Sequence, residues 1–396
     1  MLAISCLIGL LLSLALYAVA LSALAAQRRV ARGVCASDFT PPVSIIKPLC
    51  GLDDDLEENL ESFFRLDYPQ YEIIFSFARQ EDPAFSVARG VADRHPEFSS
   101  VCVVDAREPG GNAKVNRLVA GLRHARFRFF LFSDGNVRVR SDFLRRAISW
   151  FRDPSVGLVS HLFGAAGART LASRIESLHL NGPLRVGTAA IARFLGLPCV
   201  VGKSILVSRA ALNTIGGFAP LRDFLAEDFL IGQRMRRAGY RVVLSGDEIA
   251  TAEVSRSLRG VWDRHRRWAM LRRRLGGPSY AFEILAGPFP WFAAAVASSH
   301  GSVPVLAAAA SLLLGRYASE LASPQPVGHR LSFGDWILLP ARDLFAAGVF
   351  FAGLFGRYTR WRGRRIRVGR GTIIEKPAPL FTFAARRFAR LNSAIY

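Results

Sequence analysis

Apolar residues run almost without a break from Leu2 to Ala26, long enough to cross a bilayer. No charged side chain precedes the run, and Arg28, Arg29 and Arg32 come directly after it. A cleaved signal carries its positive charge in front, so this order favours an uncleaved anchor over residues 1–27. The arginines then put the adjoining region on the cytoplasmic face. From Pro41 the pattern changes to short apolar strands alternating with helical spacings. Val43 to Ile46 reads as a strand ending at Lys47-Pro48, and Leu56, Leu60, Phe63 and Phe64 recur at helical spacing. Strands are expected at Tyr71 to Phe77, at Val101 to Val104 ending on Asp105, and at Phe127 to Phe132 ending near Asp134. Helices are expected between them, at Phe85 to His95 and Ala113 to His124. This rhythm predicts an α/β fold: a mostly parallel sheet covered by helices, with ligands beyond the carboxyl ends of its strands.

Past Ser160 the pattern loosens. Ala168 to Leu197 is largely apolar and helical, with a break at Gly182-Pro183. Ser204 to Val207 is a short strand, and a helix starting at Glu227-Asp228 runs to Ala238. Ser257 to Leu275 is strongly basic with apolar Leu258, Val261, Trp262, Trp268 and Leu271, a composition that suits an amphipathic helix in the membrane interface. Two more apolar regions come next, Phe282 to Leu314 and Trp336 to Phe355, the first too long for one ordinary span. The dense arginine of Arg357 to Arg370 belongs on the cytoplasmic side, which an even number of crossings after the anchored region satisfies. The expected organisation is an anchor (1–27), a cytoplasmic catalytic region (41–278), a membrane region (279–356) and a basic tail (357–396), making a multi-pass membrane protein.

Composition sharpens this. Hydrophobic residues make up 51% of 396, and 52 basic against 31 acidic residues give a net charge of +21. That charge calls for an acidic partner. Because the arginines crowd beside apolar runs, anionic lipid or a phosphate-bearing substrate fits better than nucleic acid. Lysine is rare: Lys47, Lys114, Lys203 and Lys376 only. In so arginine-rich a chain, a lysine hints at a site wanting a compact ammonium. The five cysteines have no metal or CxxC spacing, and their odd number argues against a disulfide framework.

The chemistry-bearing residues are carboxylates. Asp105 and Asp134 end strands, and Glu227-Asp228 begins a helix between apolar neighbours. Separated carboxylates at a sheet edge suit a nucleotide diphosphate held through Mg²⁺ or Mn²⁺. The turn Gly110-Gly111-Asn112-Ala113-Lys114 lets backbone N–H groups and an ammonium approach that diphosphate. Each feature also has an ordinary reading. Glu227 and Asp228 suit the first turn of any helix, Asp134-Gly135-Asn136 makes a good turn, and Trp268 makes a good interface anchor. His265 reads as an exposed residue of a basic helix.

Together the motifs resemble the ceramide glucosyltransferase family, membrane-bound inverting enzymes with a GT-A (Rossmann-like) nucleotide-sugar fold. The matching stretches are Lys47-Pro48-Leu49-Cys50-Gly51, Asn59-Leu60-Glu61-Ser62-Phe63-Phe64, Asp67-Tyr68-Pro69-Gln70-Tyr71-Glu72, Val104-Asp105-Ala106-Arg107, Ser133-Asp134-Gly135, Cys199 to Ser204, Ala226-Glu227-Asp228-Phe229, and Arg264 to Trp268. The tail stretch Trp361 to Arg365 is similar as well. The resemblance implies that Asp105 serves nucleotide-sugar binding and Asp134 stands for the metal-binding DxD. It implies Asp228 as the base, with Arg264, Arg267 and Trp268 closing the site around donor and acceptor. Lys47 and Lys114 join the donor-binding set. The chain departs from the wider pattern at Asn136, where a second DxD carboxylate is missing. The implied reaction is transfer of glucose from UDP-glucose to the primary hydroxyl of ceramide by a single inverting displacement. A hopanoid polyol or diacylglycerol acceptor with another UDP-sugar is the alternative. A processive polysaccharide synthase and a silent membrane scaffold fit less well, the first for want of spans and the second because the carboxylates and the Arg-Trp signature are intact.

Overall fold

A computed structural model describes residues 1–34, 38–326, 328–329, 331–361 and 364–375. The Trp361–Arg365 motif is thus covered only in part, with Arg362 and Gly363 outside the described residues, as is the tail from Lys376 onward.

One eight-stranded sheet carries the domain: β1 (Val43–Pro48), β2 (Tyr71–Phe77), β3 (Ser99–Val104), β4 (Phe129–Ser133), β5 (Val137–Arg138), β6 (Val156–Ala166), β7 (Ser204–Ser208) and β8 (Arg241–Ala252). Their order is β3-β2-β1-β4-β7-β6-β8-β5. The first four run parallel, β7 runs antiparallel between β4 and β6, and β8 is parallel to β6. In β1, Ile45 and Ile46 point to opposite faces and enter two separate cores, so both faces of the sheet are buried.

The helices are α1 (Leu2–Gly33), α2 (Leu56–Phe64), α3 (Pro83–Asp93), α4 (Ala113–Leu122), α5 (Phe143–Ile148), α6 (Leu171–His179), α7 (Arg185–Phe194), α8 (Arg209–Thr214) and α9 (Glu227–Arg237). Then come α10 (Leu258–Gly276), α11 (Phe282–Ala286), α12 (Pro288–Ser298), α13 (Val303–Leu321) and α14 (Phe333–Phe355). The break expected at Gly182-Pro183 is one π turn between α6 and α7. The long apolar stretch from Phe282 divides into α11, α12 and α13.

Strands β5, β6 and β8 are not evident from the sequence pattern. β6 is buried on both faces and so lacks the alternation that marks a half-buried strand. The antiparallel β7 matters most for the site. Ser204 at its start pairs with Ser133 at the end of β4, which brings Lys203 beside Asp134. A purely parallel sheet would put them at opposite ends.

Among the described residues two helices, α1 and α14, are long and apolar enough to cross a membrane; α10–α11 with α12, bent by 57°, make either a broken third span or a re-entrant loop. α1 packs closely on α12, where a Cβ on Gly9 would fall 2.3 Å from the Trp291 ring. Between α13 and α14 lies a buried ionic knot. Glu320 of α13 accepts from Arg316 at 2.8 Å and from Arg342 of α14 at 3.2 Å, and Arg342 also meets Asp343 at 2.7 Å. Beyond α14 the chain forms a small sheet, β9 (Tyr358–Trp361), β10 (Arg364–Val368) and β11 (Ile374–Glu375), that returns to the domain of the eight-stranded sheet. Leu225 N–H donates to Thr372 O at 2.9 Å and Ile374 N–H to Asp223 O at 2.7 Å.

Removing one partner of a buried ion pair strands the other, typically at a cost of about 3–5 kcal/mol. Glu320→Gln strands the Arg316 guanidinium and leaves Arg342 with Asp343 alone, and is expected to lower the thermal midpoint of the detergent-solubilised chain. An unchanged midpoint would show that the knot does not hold the helices together.

Candidate active site

The end of β4, the start of β7 and the first turns of α4 and α9 converge. In α4, Asn112 caps the helix by accepting from Val115 N–H at 3.1 Å. The cap orients Lys114, whose ammonium lies 2.7 Å from Asp134 Oδ1 and 3.5 Å from Glu227 Oε1 and donates to the Gly202 carbonyl at 2.7 Å. Lys203 approaches from the other side, 3.4 Å from Asp134 Oδ2 and donating to Asn136 Oδ1 at 2.8 Å. Lys47 reaches out of β1 to the Asp134 carbonyl at 3.1 Å, with its ammonium 3.6 Å from the centre of the Phe63 ring. Every lysine among the described residues therefore meets at Asp134.

This geometry sets the ionisation of each group. Burial alone would raise the Asp134 pKa, but the ammonium groups of Lys114 and Lys203 outweigh it and hold the carboxyl at about 2. Burial draws Lys47 down to about 7, against the attraction of Asp134 and Asp53. Burial pushes Glu227 up to about 7, with Lys114 opposing the rise and Asp228 adding to it. Asp228 is raised too, chiefly by burial, with Lys114 and the N–H groups of Phe229 and Gly202 opposing.

The acidic pair divides its work. Glu227 is buried, accepting from Asn112 Nδ2 at 3.0 Å. Asp228 is half-buried and accepts from Gly202 N–H at 3.0 Å and Phe229 N–H at 2.8 Å. Only glycine fits at 202, since a Cβ there would fall 2.8 Å from Asp228 Oδ2.

From Lys203 the polar contacts continue to α10. Asn136 Nδ2 donates to Glu253 Oε1 at 3.1 Å, and Arg264 NH1 donates to the same oxygen at 2.9 Å. Arg264 Nε donates to Glu176 Oε1 at 2.8 Å, and His265 Nε2 lies 2.9 Å from that oxygen. His265 is therefore buried, not exposed as its basic neighbours suggest, because it faces Glu176 from the inner side of α10. Trp268 is half-buried, its ring 5.1 Å from His265 and 5.2 Å from the Arg264 guanidinium, and Arg267 is half-buried on the same helix. Asp105 makes its contacts elsewhere. Arg107 binds it at 2.8 Å and Arg123 at 3.1 Å, and the Arg107 hydrogen bond holds its carboxyl at about 2.

Asp134, Lys114, Lys47 and the acidic pair thus come together, and Arg264 joins them through Asn136 and Glu253. Lys203, Asn112, Glu253 and Glu176 are site residues that the sequence motifs alone do not assign. Scarcity of lysine points to Lys203. Glu176 is a carboxylate within the largely apolar stretch Ala168 to Leu197, itself a signal.

Among the described residues no three His, Cys, Asp or Glu side chains are grouped to hold a metal ion. Asp134, the one expected ligand, has both carboxylate oxygens in contact with ammonium groups. These residues do not fit a resident metal by themselves.

A model of Glycosyl transferase family 21 matches residues 6–374. The chain belongs to this family. Among curated proteins it is similar to ceramide glucosyltransferase 1 of Caenorhabditis elegans, 28% identical over 233 residues, covering 59% of this chain and half of that protein. It is also similar to ceramide glucosyltransferase 3 of the same organism, 26% identical over 383 residues, covering 93% of this chain and 82% of the relative. Among solved structures it resembles a mannosyltransferase of Pyrobaculum calidifontis in complex with GDP-Man and Mn²⁺, with a TM-score of 0.50, 21% identity, and coverage of 88% of this chain and 99% of that one. That likeness supports the GT-A fold. The family 21 chain is a glycosyltransferase, built on a mostly parallel sheet in which only β5 and β7 run against the other six strands.

Burial alone would also raise Glu253, yet Arg264, Arg256 and Lys203 hold its carboxyl at about 2. Like Asp134, it sits below the ordinary carboxylate range near about 4. The stabilisation both provide is present in full above that range and is lost as pH falls through about 2. The thermal midpoint between about pH 5 and pH 2 should fall more steeply for wild type than for Asp134→Asn or Glu253→Gln. Parallel curves would contradict the pairing.

Proposed function

We propose that this hexosyltransferase moves glucose from UDP-glucose to the primary hydroxyl of ceramide, inverting the anomeric carbon in a single displacement. The observation that carries the reading is the half-buried Asp228 carboxylate beside the Lys114–Asp134–Lys203 cluster: a base and a pair of ammonium groups within one site. The similarity to ceramide glucosyltransferases supports the lipid acceptor. The catalytic region is taken to lie on the cytoplasmic face of a multi-pass membrane protein, where a soluble sugar nucleotide and a lipid hydroxyl can meet.

A primary hydroxyl is a poor nucleophile. Asp228 accepts its proton as the oxygen attacks the anomeric carbon, and the bond to the diphosphate breaks on the opposite face with its electron pair leaving on UDP. Lys114 and Lys203 provide positive charge for the departing diphosphate, with Arg267 and Trp268 closing over donor and acceptor. Arg264, taken up by two carboxylates, fixes α10. Lys47 steadies the Asp134 backbone, and Asp105 is assigned to the nucleotide. On this reading a divalent cation comes only with the donor's diphosphate, and Asp134 is the residue that meets it.

The test is transfer of label from a panel of UDP-sugars to ceramide, diacylglycerol and a hopanoid polyol by the purified chain. Labelled β-glucosylceramide from UDP-α-glucose is expected; label on another acceptor alone would replace the ceramide assignment. Asp228→Asn should lower turnover by about 10²–10⁴-fold while donor binding persists. Because burial raises the Asp228 pKa and its ionised form is the base, turnover should fall with pH at values above the ordinary aspartate range near about 4. Loss of turnover on Glu227→Gln with Asp228→Asn still active would move the base to Glu227.

A further inference from the structure

On the face of α10 opposite Arg264 and Trp268, the chain leaves a second cavity of about 650 Å³. Arg259, Trp262, Asp263 and Arg266 line it from α10 at positions i, i+3, i+4 and i+7, a single helix face. Its far wall is the end of α14 and the first strand of the small sheet, supplying Arg357 and Arg360, with Arg365 beside them on β10. Five guanidinium groups therefore share the cavity with a single carboxylate, Asp263. Neither Arg259, Arg357 nor Arg360 has a carboxylate partner among the described residues. Arg266 donates from NH2 to Tyr358 O at 3.0 Å, while its buried Nε has no hydrogen-bond partner among them. So strong an excess of one charge in a walled space repels itself unless an anion enters.

The surroundings say which anion. The cavity opens where the 23-residue apolar helix α14 ends. Phe351 and Phe355 on its last turns are 52% and 77% exposed, and Tyr358 at the rim is 43% exposed. Apolar rings that need lipid, aromatic residues at the boundary and arginines just beyond describe an interface at headgroup depth. We propose that this cavity binds the phosphate of an anionic phospholipid, whose acyl chains run down the exposed face of α14. It lies on the other side of α10 from the candidate active site and does not depend on which sugar or acceptor is used there.

The test is lipid retention by the full chain in neutral detergent, read by native mass spectrometry with short-chain phosphatidylglycerol, phosphatidylcholine or glycerol 3-phosphate. Phosphatidylglycerol should be retained selectively, and Arg357→Gln/Arg360→Gln should weaken it about thirty-fold, as expected for two interfacial arginines. Asp263→Asn removes the one opposing charge and should tighten retention about five-fold, an outcome a misfolded variant cannot give. Equal retention of both phospholipids, no change in either variant, or equally tight glycerol 3-phosphate would overturn the lipid site.

Discussion

The site depends on one carboxylate held between two ammonium groups. At about 4 Å and the effective dielectric of a partly buried site, each such contact is worth roughly 4 kcal/mol before desolvation is subtracted. That attraction holds the Asp134 pKa down where burial alone would raise it. It also fixes the chain around it, because Lys114 comes from α4, Lys203 precedes β7 and Asp134 comes just after β4. Three elements distant in sequence are joined at one oxygen pair. In the proposed reaction an incoming diphosphate would compete with Asp134 for the same ammonium groups, their positive charge being in position before the donor arrives.

From that point a line of alternating charges runs through Asn136, Glu253 and Arg264 to Glu176 and His265. Each buried charge in it has an opposite neighbour, the condition under which such a row is tolerated away from water. Its consequence is mechanical. The basic helix α10, which composition alone would lay loosely on a membrane, is pinned to the catalytic domain through its inner face. Its outer face lines the arginine cavity.

Much of this is legible in the chain, for physical reasons that can be named. The strands ending at Lys47, Asp105 and Asp134 are short apolar runs closed by polar residues, and the acidic pair opens a helix as its position suggests. The hidden features need partners that local pattern does not encode. β6 and β8 are buried together and carry no clean period. Lys203 gains its meaning only because β7 runs antiparallel to β4. His265 is misleading in sequence because the arginines around it give α10 a basic look, whereas its burial is set by Glu176, almost ninety residues earlier.

The segment after α14 links the two halves of the molecule. Its first strand lines the arginine cavity, and its last residues hydrogen-bond residues 223–225, immediately before Glu227. Gly111 lies against Ile374 of the same sheet, with room for a Cβ only at 3.2 Å. Both the glycine turn leading to Lys114 and the loop leading to Asp228 are therefore braced by chain that has just left the apolar helices. The positions of Asp228 and Lys114 are set from the side of the apolar helices as well as from the sheet. The proposed reaction draws one substrate from water and the other from lipid, and this small sheet ties the residues assigned to it to both halves of the chain.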